Sequence, residues 1–122
     1  MCAASMKYDD ASPGNGSACT CRHPPFRFTD YDTVDLGDDE HGAEIELSTC
    51  KSCGAIWLKY FVEEPQYSRS GRWWRVEVVA GDASALSAAT AREYVERSAA
   101  GFAGGSFFGS QGHAIVAPIR IR

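Results

Sequence analysis

The sequence predicts an α+β fold in which an antiparallel sheet carries one packed helix and ends in a C-terminal edge strand. Three observations point there. Two close cysteine pairs, Cys19-Thr20-Cys21 and Cys50-Lys51-Ser52-Cys53-Gly54, stand at the two ends of a 28-residue stretch, positions 22 to 49. Positions 55–62 and 73–80 are dense in the aromatic and β-branched residues that fit a pleated surface. Between Ser84 and Ala100 the apolar residues instead recur with the 3.6-residue period of a helix.

The chain has 122 residues, one domain in length and long enough to bury a modest core. Hydrophobic residues make up 44% and charged residues 23%, the balance of a globular protein. No run approaches the roughly 18 apolar residues that cross a bilayer, so no membrane partner is expected. Residues 1–18, rich in Ser, Gly and Asp, read as a disordered tail, leaving 19–122 as a single metal-stapled domain. Met1 to Ser17 lacks the basic start and apolar run of a secretory signal, which predicts a cytoplasmic protein. Thiols there stay reduced, and paired cysteines serve as metal ligands or redox centres.

Taken in order, Pro24-Pro25 favours an extended path, and Phe26-Arg27-Phe28 alternates as a short strand would. Thr29 to Gly42 holds six carboxylates and reads as a solvated acidic loop. Ala43 to Thr49 alternates around Ile45 and Leu47, a half-buried strand feeding the second cysteine pair. Ala55 to Val62 should be a central strand, and Glu63 to Arg72 supplies turn chemistry. Trp73 to Ala80 follows as its partner, with Trp73, Arg75 and Glu77 on one face and Trp74, Val76 and Val78 on the other. Asp82 or Ser84 can cap a helix running to about Ala100, with Gly101 as its stop. Gly101 to Gly112 is expected to form turns, with Phe107 and Phe108 plugging the core. Ala114 to Ile121 reads as the last strand, and Pro118 within it implies an edge.

The cysteines carry the chemistry. Zinc–sulfur bonds of about 2.3 Å require the ligand sulfurs to lie within roughly 4 Å of one another, so each pair must sit on a sharp turn. The CxxCG form of Cys50 to Gly54 does this well, because its glycine adopts positive φ at little cost. Cys19 and Cys21 would face opposite ways in a strand, so their joint ligation demands a bend. The favoured set is Cys19, Cys21, Cys50 and Cys53 around a structural Zn2+, with His23 as an alternative ligand in place of Cys19. Four closed ligands leave no position for a catalytic water, which argues against an enzyme.

With these turns and the strands beside them, residues 19 to about 80 resemble the zinc-ribbon group, in which two cysteine turns clamp one ion beside a small antiparallel sheet. The first turn departs from that group's usual CxxC spacing. The resemblance implies a zinc-ribbon-like sheet and a binding module for proteins or nucleic acids.

Formal net charge is −4, which favours a basic protein partner, as for an adaptor or an immunity-like inhibitor. Candidate contacts are Trp73 with Arg72 and Arg75, and Asp38 with Asp39 in the acidic run. A nucleic-acid-binding ribbon is the alternative, disfavoured by that charge. A thiol oxidoreductase using the CxxC is a second alternative, but it would need Cys50 at a helix N-terminus, and the sequence after it is strand-like. The acidic run fails the calcium-loop pattern, with Asp35 at the sixth position and His41 at the twelfth.

Overall fold

Alternating apolar residues and tight turns arrange the chain as a meander. The computed structural model describes residues 19–63, 71–105 and 109–121. The expected tail at 1–18, most of the turn at 63–72, and Phe107 and Phe108 lie outside the described residues. Among those described, β1 (Tyr31–Asp38), β2 (Glu44–Cys50), β3 (Ile56–Val62), β4 (Arg72–Val78), β5 (Ala100–Gly105) and β6 (Gly109–Val116) form one sheet in chain order. Every neighbouring pair is antiparallel. The helix α1 (Ala91–Arg97) packs across β3 and β4. The α+β class and the packed helix are therefore as the sequence predicts.

Register sets the two faces. Leu58 stands opposite Leu47 and Val76, and Tyr60 opposite Ile45 and Trp74, so large apolar side chains stack on one side. There they meet Ala91 and Val95 of α1, and Ile119 and Ile121 beyond β6, in one buried cluster. Arg92 Nη2 donates to the Ile121 carbonyl at 3.1 Å, and Ile121 N–H donates to Glu96 at 3.1 Å, which ties that last segment to the helix. On the other side lie Trp57 and Lys59 of β3 with Trp73, Arg75 and Glu77 of β4. The expected phases of Trp73 and Trp74 hold, and Trp74 is the buried one, 2% exposed.

Several expectations are corrected. The acidic run is not a loop: Tyr31–Asp38 is an edge strand, with Asp32 and Asp35 exposed to solvent. Charge on an edge opposes pairing with a second chain, so carboxylates suit this strand. A bulge between Asp35 and Gly37 bends it, where Gly37 has φ +95° and its N–H donates to Asp35 at 2.8 Å. Phe26-Arg27-Phe28 is not a strand; Phe28 opens a 3-10 turn, Phe28–Asp30.

The helix is shorter than its periodicity suggests. Ala80–Ala85 is a 3-10 segment, Leu86 is extended, and Ser87 N–H donates to Thr90 Oγ1 at 3.0 Å. Such local bonds offer the backbone an alternative to helix, and the alanine-rich stretch buries too little to override them. The glycine-rich segment is not merely turns, since Ala100–Gly105 and Gly109–Val116 are strands. A Cβ at Gly101 would lie 2.5 Å from the Arg75 carbonyl oxygen. At Gly104 and Gly112 it would lie 2.5 and 2.7 Å from the Trp73 ring, so these glycines make room for that indole. The last strand lies at the sheet edge as expected, but it ends at Val116, and Pro118 falls beyond it.

Asp39 closes the β1–β2 turn by accepting the His41 and Ala43 N–H groups, each at 2.9 Å, and the Tyr60 hydroxyl. Burial opposes its charge, yet the bonds from Tyr60, Ala43 and His41 hold its carboxyl below the usual range.

Two outcomes follow from this architecture. Gly101→Ala should destabilise the fold by about 1–3 kcal/mol, read as a lower urea midpoint, because the obstacle is backbone rather than a movable side chain. The folded state binds Asp39's proton more weakly than the unfolded chain, so its contribution is complete above pH ~4 and fades as the solution is acidified through the lowered value. Asp39→Ala should weaken the protein at pH 7 by about 1–3 kcal/mol and flatten the acid limb of its stability curve.

Candidate metal centre

At one end of the sheet two backbone turns face each other. The first is the 3-10 turn Thr20–Arg22, closed by Arg22 N–H to the Cys19 carbonyl at 3.0 Å and His23 N–H to that of Thr20 at 3.1 Å. This is the bend that the Cys19-Thr20-Cys21 spacing requires. The second begins where β2 ends at Cys50, whose N–H donates to the Ala55 carbonyl at 2.8 Å. Gly54, at φ +81°, returns its N–H to the Cys50 carbonyl at 2.9 Å, so the glycine of CxxCG closes the turn as its backbone freedom allows.

Four sulfurs converge between them. Those of Cys19, Cys21, Cys50 and Cys53 all lie within 4.8 Å of one another. Cys19 and Cys50 Sγ are 3.7 Å apart, and Cys21 and Cys53 Sγ 3.5 Å. A disulfide would need about 2.05 Å, whereas a tetrahedron with bonds of about 2.3 Å has edges of about 3.8 Å. The spacing fits four ligands of one metal ion. The long stretch between the pairs is taken up by the β1–β2 hairpin, which leaves the first turn and returns to the second: Tyr31 pairs with Cys50.

The donor chemistry fits as well. Burial pushes the Cys21 thiol up, reinforced by its contacts with Cys53 and Cys19, and burial also raises Cys53. Cys19 is held below its usual value despite burial, by the Cys21 N–H and the neighbouring thiols. Four crowded thiolates repel one another, and a divalent cation removes that repulsion. Cys21 and Cys50 are buried, Cys19 is partly covered and Cys53 is exposed, so the cluster sits at the rim of the sheet. His23, the alternative ligand, is exposed and stands outside the cluster.

The surroundings brace the first turn against the sheet. Arg22 forks onto Glu77 at 2.7 and 2.9 Å, raising the guanidinium further and lowering the carboxyl. Arg75 donates from Nη1 to the Cys21 carbonyl and from Nη2 to the Tyr31 hydroxyl, both at 2.8 Å. Burial lowers Arg75 to about 10, while Tyr31, Cys21 and Cys50 act the other way. Burial likewise raises the Tyr31 phenol to about 12, against the pull of Arg75.

Beside the cysteines, Phe26, Tyr31, Trp57, Lys59 and Trp73 line a cavity of about 260 Å³ between the 25–28 segment and the sheet. The expected partner residues do not form one surface. Trp73 lies on this cavity with Lys59 Nζ 5.8 Å from its ring. Arg75 lies beneath it and is 5% exposed, so it offers no surface contact. Arg72 falls on the opposite phase of β4, with Trp74. Asp38 and Asp39 border a separate cleft against α1, with Glu40, Glu93 and Glu96. The sequence reading missed the burial of Arg75 and Trp57; the signal available was Arg75 sharing a strand phase with Trp73 rather than with solvent-facing residues alone.

No known family, curated protein or solved structure matches this chain. Among the described residues, no helix is long and apolar enough to cross a membrane.

Replacing Cys21 or Cys50 by serine should abolish stoichiometric metal binding and lower the thermal midpoint, since both are the buried members of the cluster that could hold the ion. His23→Ala should retain the metal in full, as measured by elemental analysis of the purified variants.

Proposed function

We propose that this chain is a zinc-stapled, non-enzymatic binding module, in which Cys19, Cys21, Cys50 and Cys53 hold one structural Zn2+ and the neighbouring sheet face receives a protein partner. The observation that carries it is the set of sulfur separations, 3.5 and 3.7 Å within a 4.8 Å cluster, close to the edge of a zinc–thiolate tetrahedron. Four soft anionic ligands suit zinc better than the oxygen-seeking magnesium or calcium. With every position filled by sulfur, the ion supplies rigidity and no site for a bound water.

A protein partner is supported by the aromatic character of the face beside the centre. Trp73 and Phe26 are partly exposed and Phe28 is 84% exposed; aromatic anchors with nearby cations are what interface hot spots use. The nucleic-acid reading loses ground, because Arg75, one of the two arginines that would meet phosphate, is buried. The oxidoreductase reading has no helix to activate Cys50, which ends a strand.

A second reading places a basic partner at the cleft between the β1–β2 turn and α1. Asp38, Glu40, Glu93 and Glu96 outnumber Arg92 there, in agreement with the chain's net charge of −4.

Tag-free protein should contain one zinc per chain, and stripping it with a chelator should lower the thermal midpoint. Metal-free, reduced protein should leave insulin unreduced; turnover would favour the dithiol reading. For the acidic cleft, oligolysine should bind in low salt and dissociate as salt rises, with weaker binding to Asp38→Asn and Glu93→Gln variants. Equal binding by both variants would remove that reading.

A further inference from the structure

Arg75 is the buried charged residue of the described chain, 5% exposed at the middle of a strand. Its guanidinium is stacked 3.8 Å from the Phe26 ring centroid and 3.9 Å from that of Trp57, with Tyr31 at 5.2 Å. Among the described residues its hydrogen bonds go to neutral oxygens, the Cys21 carbonyl and the Tyr31 hydroxyl. Among the described residues no carboxylate forms an ion pair with it. Glu77, two residues along the same face, acts on Arg75 only through space and gives its hydrogen-bonded ion pair to Arg22. A buried cation without a counter-charge is costly, and a fold that keeps one must supply the charge from elsewhere.

The cysteine cluster is the available source. Four thiolates and one divalent ion carry −4 + 2 = −2, and Arg75 Nη1 reaches the Cys21 carbonyl at 2.8 Å, which sets the buried cation against one of the two buried cysteines of the cluster. Arg22, next to Cys21, also faces the cluster, but its charge is offset by the fork onto Glu77, whereas Arg75 has no such ion pair among the described residues. Its bond to the Cys21 carbonyl holds the ligand-bearing turn itself.

We propose that Arg75 is the built-in counter-cation of the metal centre, a positioning residue that offsets the thiolate charge and thereby raises zinc affinity. This rests on the reading of the four cysteines as a zinc site. The Phe26 and Trp57 rings pack on the guanidinium and leave it 5% exposed, so its charge acts through a medium that screens it weakly. Zinc and Arg75 are then mutually stabilising: the metal-bound thiolates make the buried cation tolerable, and the cation makes the anionic ligand set tolerable.

The test uses the full chain with Arg75→Lys, Arg75→Gln and Arg75→Met, and measures zinc affinity by competition with a chromophoric chelator at fixed pH and salt. Loss of the charge should weaken zinc binding about 10- to 100-fold, the range seen when groups supporting metal ligands are removed. Arg75→Lys should recover most of that loss, although it cannot reproduce the fork or the stacking. Should a neutral variant fold poorly, the zinc-dependent rise in thermal midpoint gives the same answer, because it must shrink in Gln and Met relative to wild type and Lys. Unchanged affinity in Gln and Met overturns the proposal, and so does a Lys variant as weak as Met, which would mean shape rather than charge. A wild-type protein that binds no zinc fails differently: it removes the zinc site itself and Arg75's role with it.

Discussion

Convergence of two cysteine turns at one end of the sheet is the constraint on which the remaining geometry depends. The 3-10 turn Thr20–Arg22 has little secondary structure of its own, and its attachment runs through Cys19 and Cys21, the Arg22–Glu77 fork and the Arg75 bond to the Cys21 carbonyl. Without a common ion, four sulfurs within 4.8 Å are held together only by weak thiol contacts. With one, the turn, the β2–β3 connection and the start of β1 become a single rigid corner. Lys51 N–H donating to the Asp30 carbonyl at 2.9 Å extends that corner to the segment leading into β1.

The two faces of the sheet then divide the labour. One is dry, with Ile45, Leu58, Tyr60, Trp74 and Val76 packed under α1 and the final isoleucines, and it accounts for most of the apolar burial. The other is aromatic and charged, built from Phe26, Tyr31, Trp57, Trp73 and Phe102 around Arg75. Phe26 joins the two ends of this face: its ring lies 5.1 Å from Phe102, 6.2 Å from Trp73 and directly over Arg75. Glycines at 104 and 112 let Trp73 lie close against β5 and β6. Packing this close on both sides holds the face in one arrangement.

How much of this was legible depends on which force set each element. The cysteine turns were visible because sulfurs that could share one ion need short, fixed spacings, and β3 and β4 because their alternation matches burial on two faces. The edge strand β1 was hidden by its carboxylates: one side of it meets solvent, so hydrophobic alternation is nearly absent, and its pairing with β2 is a tertiary fact. The strand character of Ala100–Gly105 was masked because glycine there serves close approach to Arg75 and Trp73 rather than a turn. Local Ser87–Thr90 bonding cut the helix short where periodicity alone ran through. Arg75 was read as a surface residue because burial of a guanidinium depends on neighbours distant in sequence, Phe26, Trp57 and the cysteine cluster.

X-ray absorption at the zinc edge, on protein purified without a tag, reaches the central claim most directly. The account predicts a single shell of sulfur atoms at about 2.3 Å with a coordination number near four. A shell containing nitrogen or oxygen ligands in place of a cysteine, or an absent zinc edge, would contradict it.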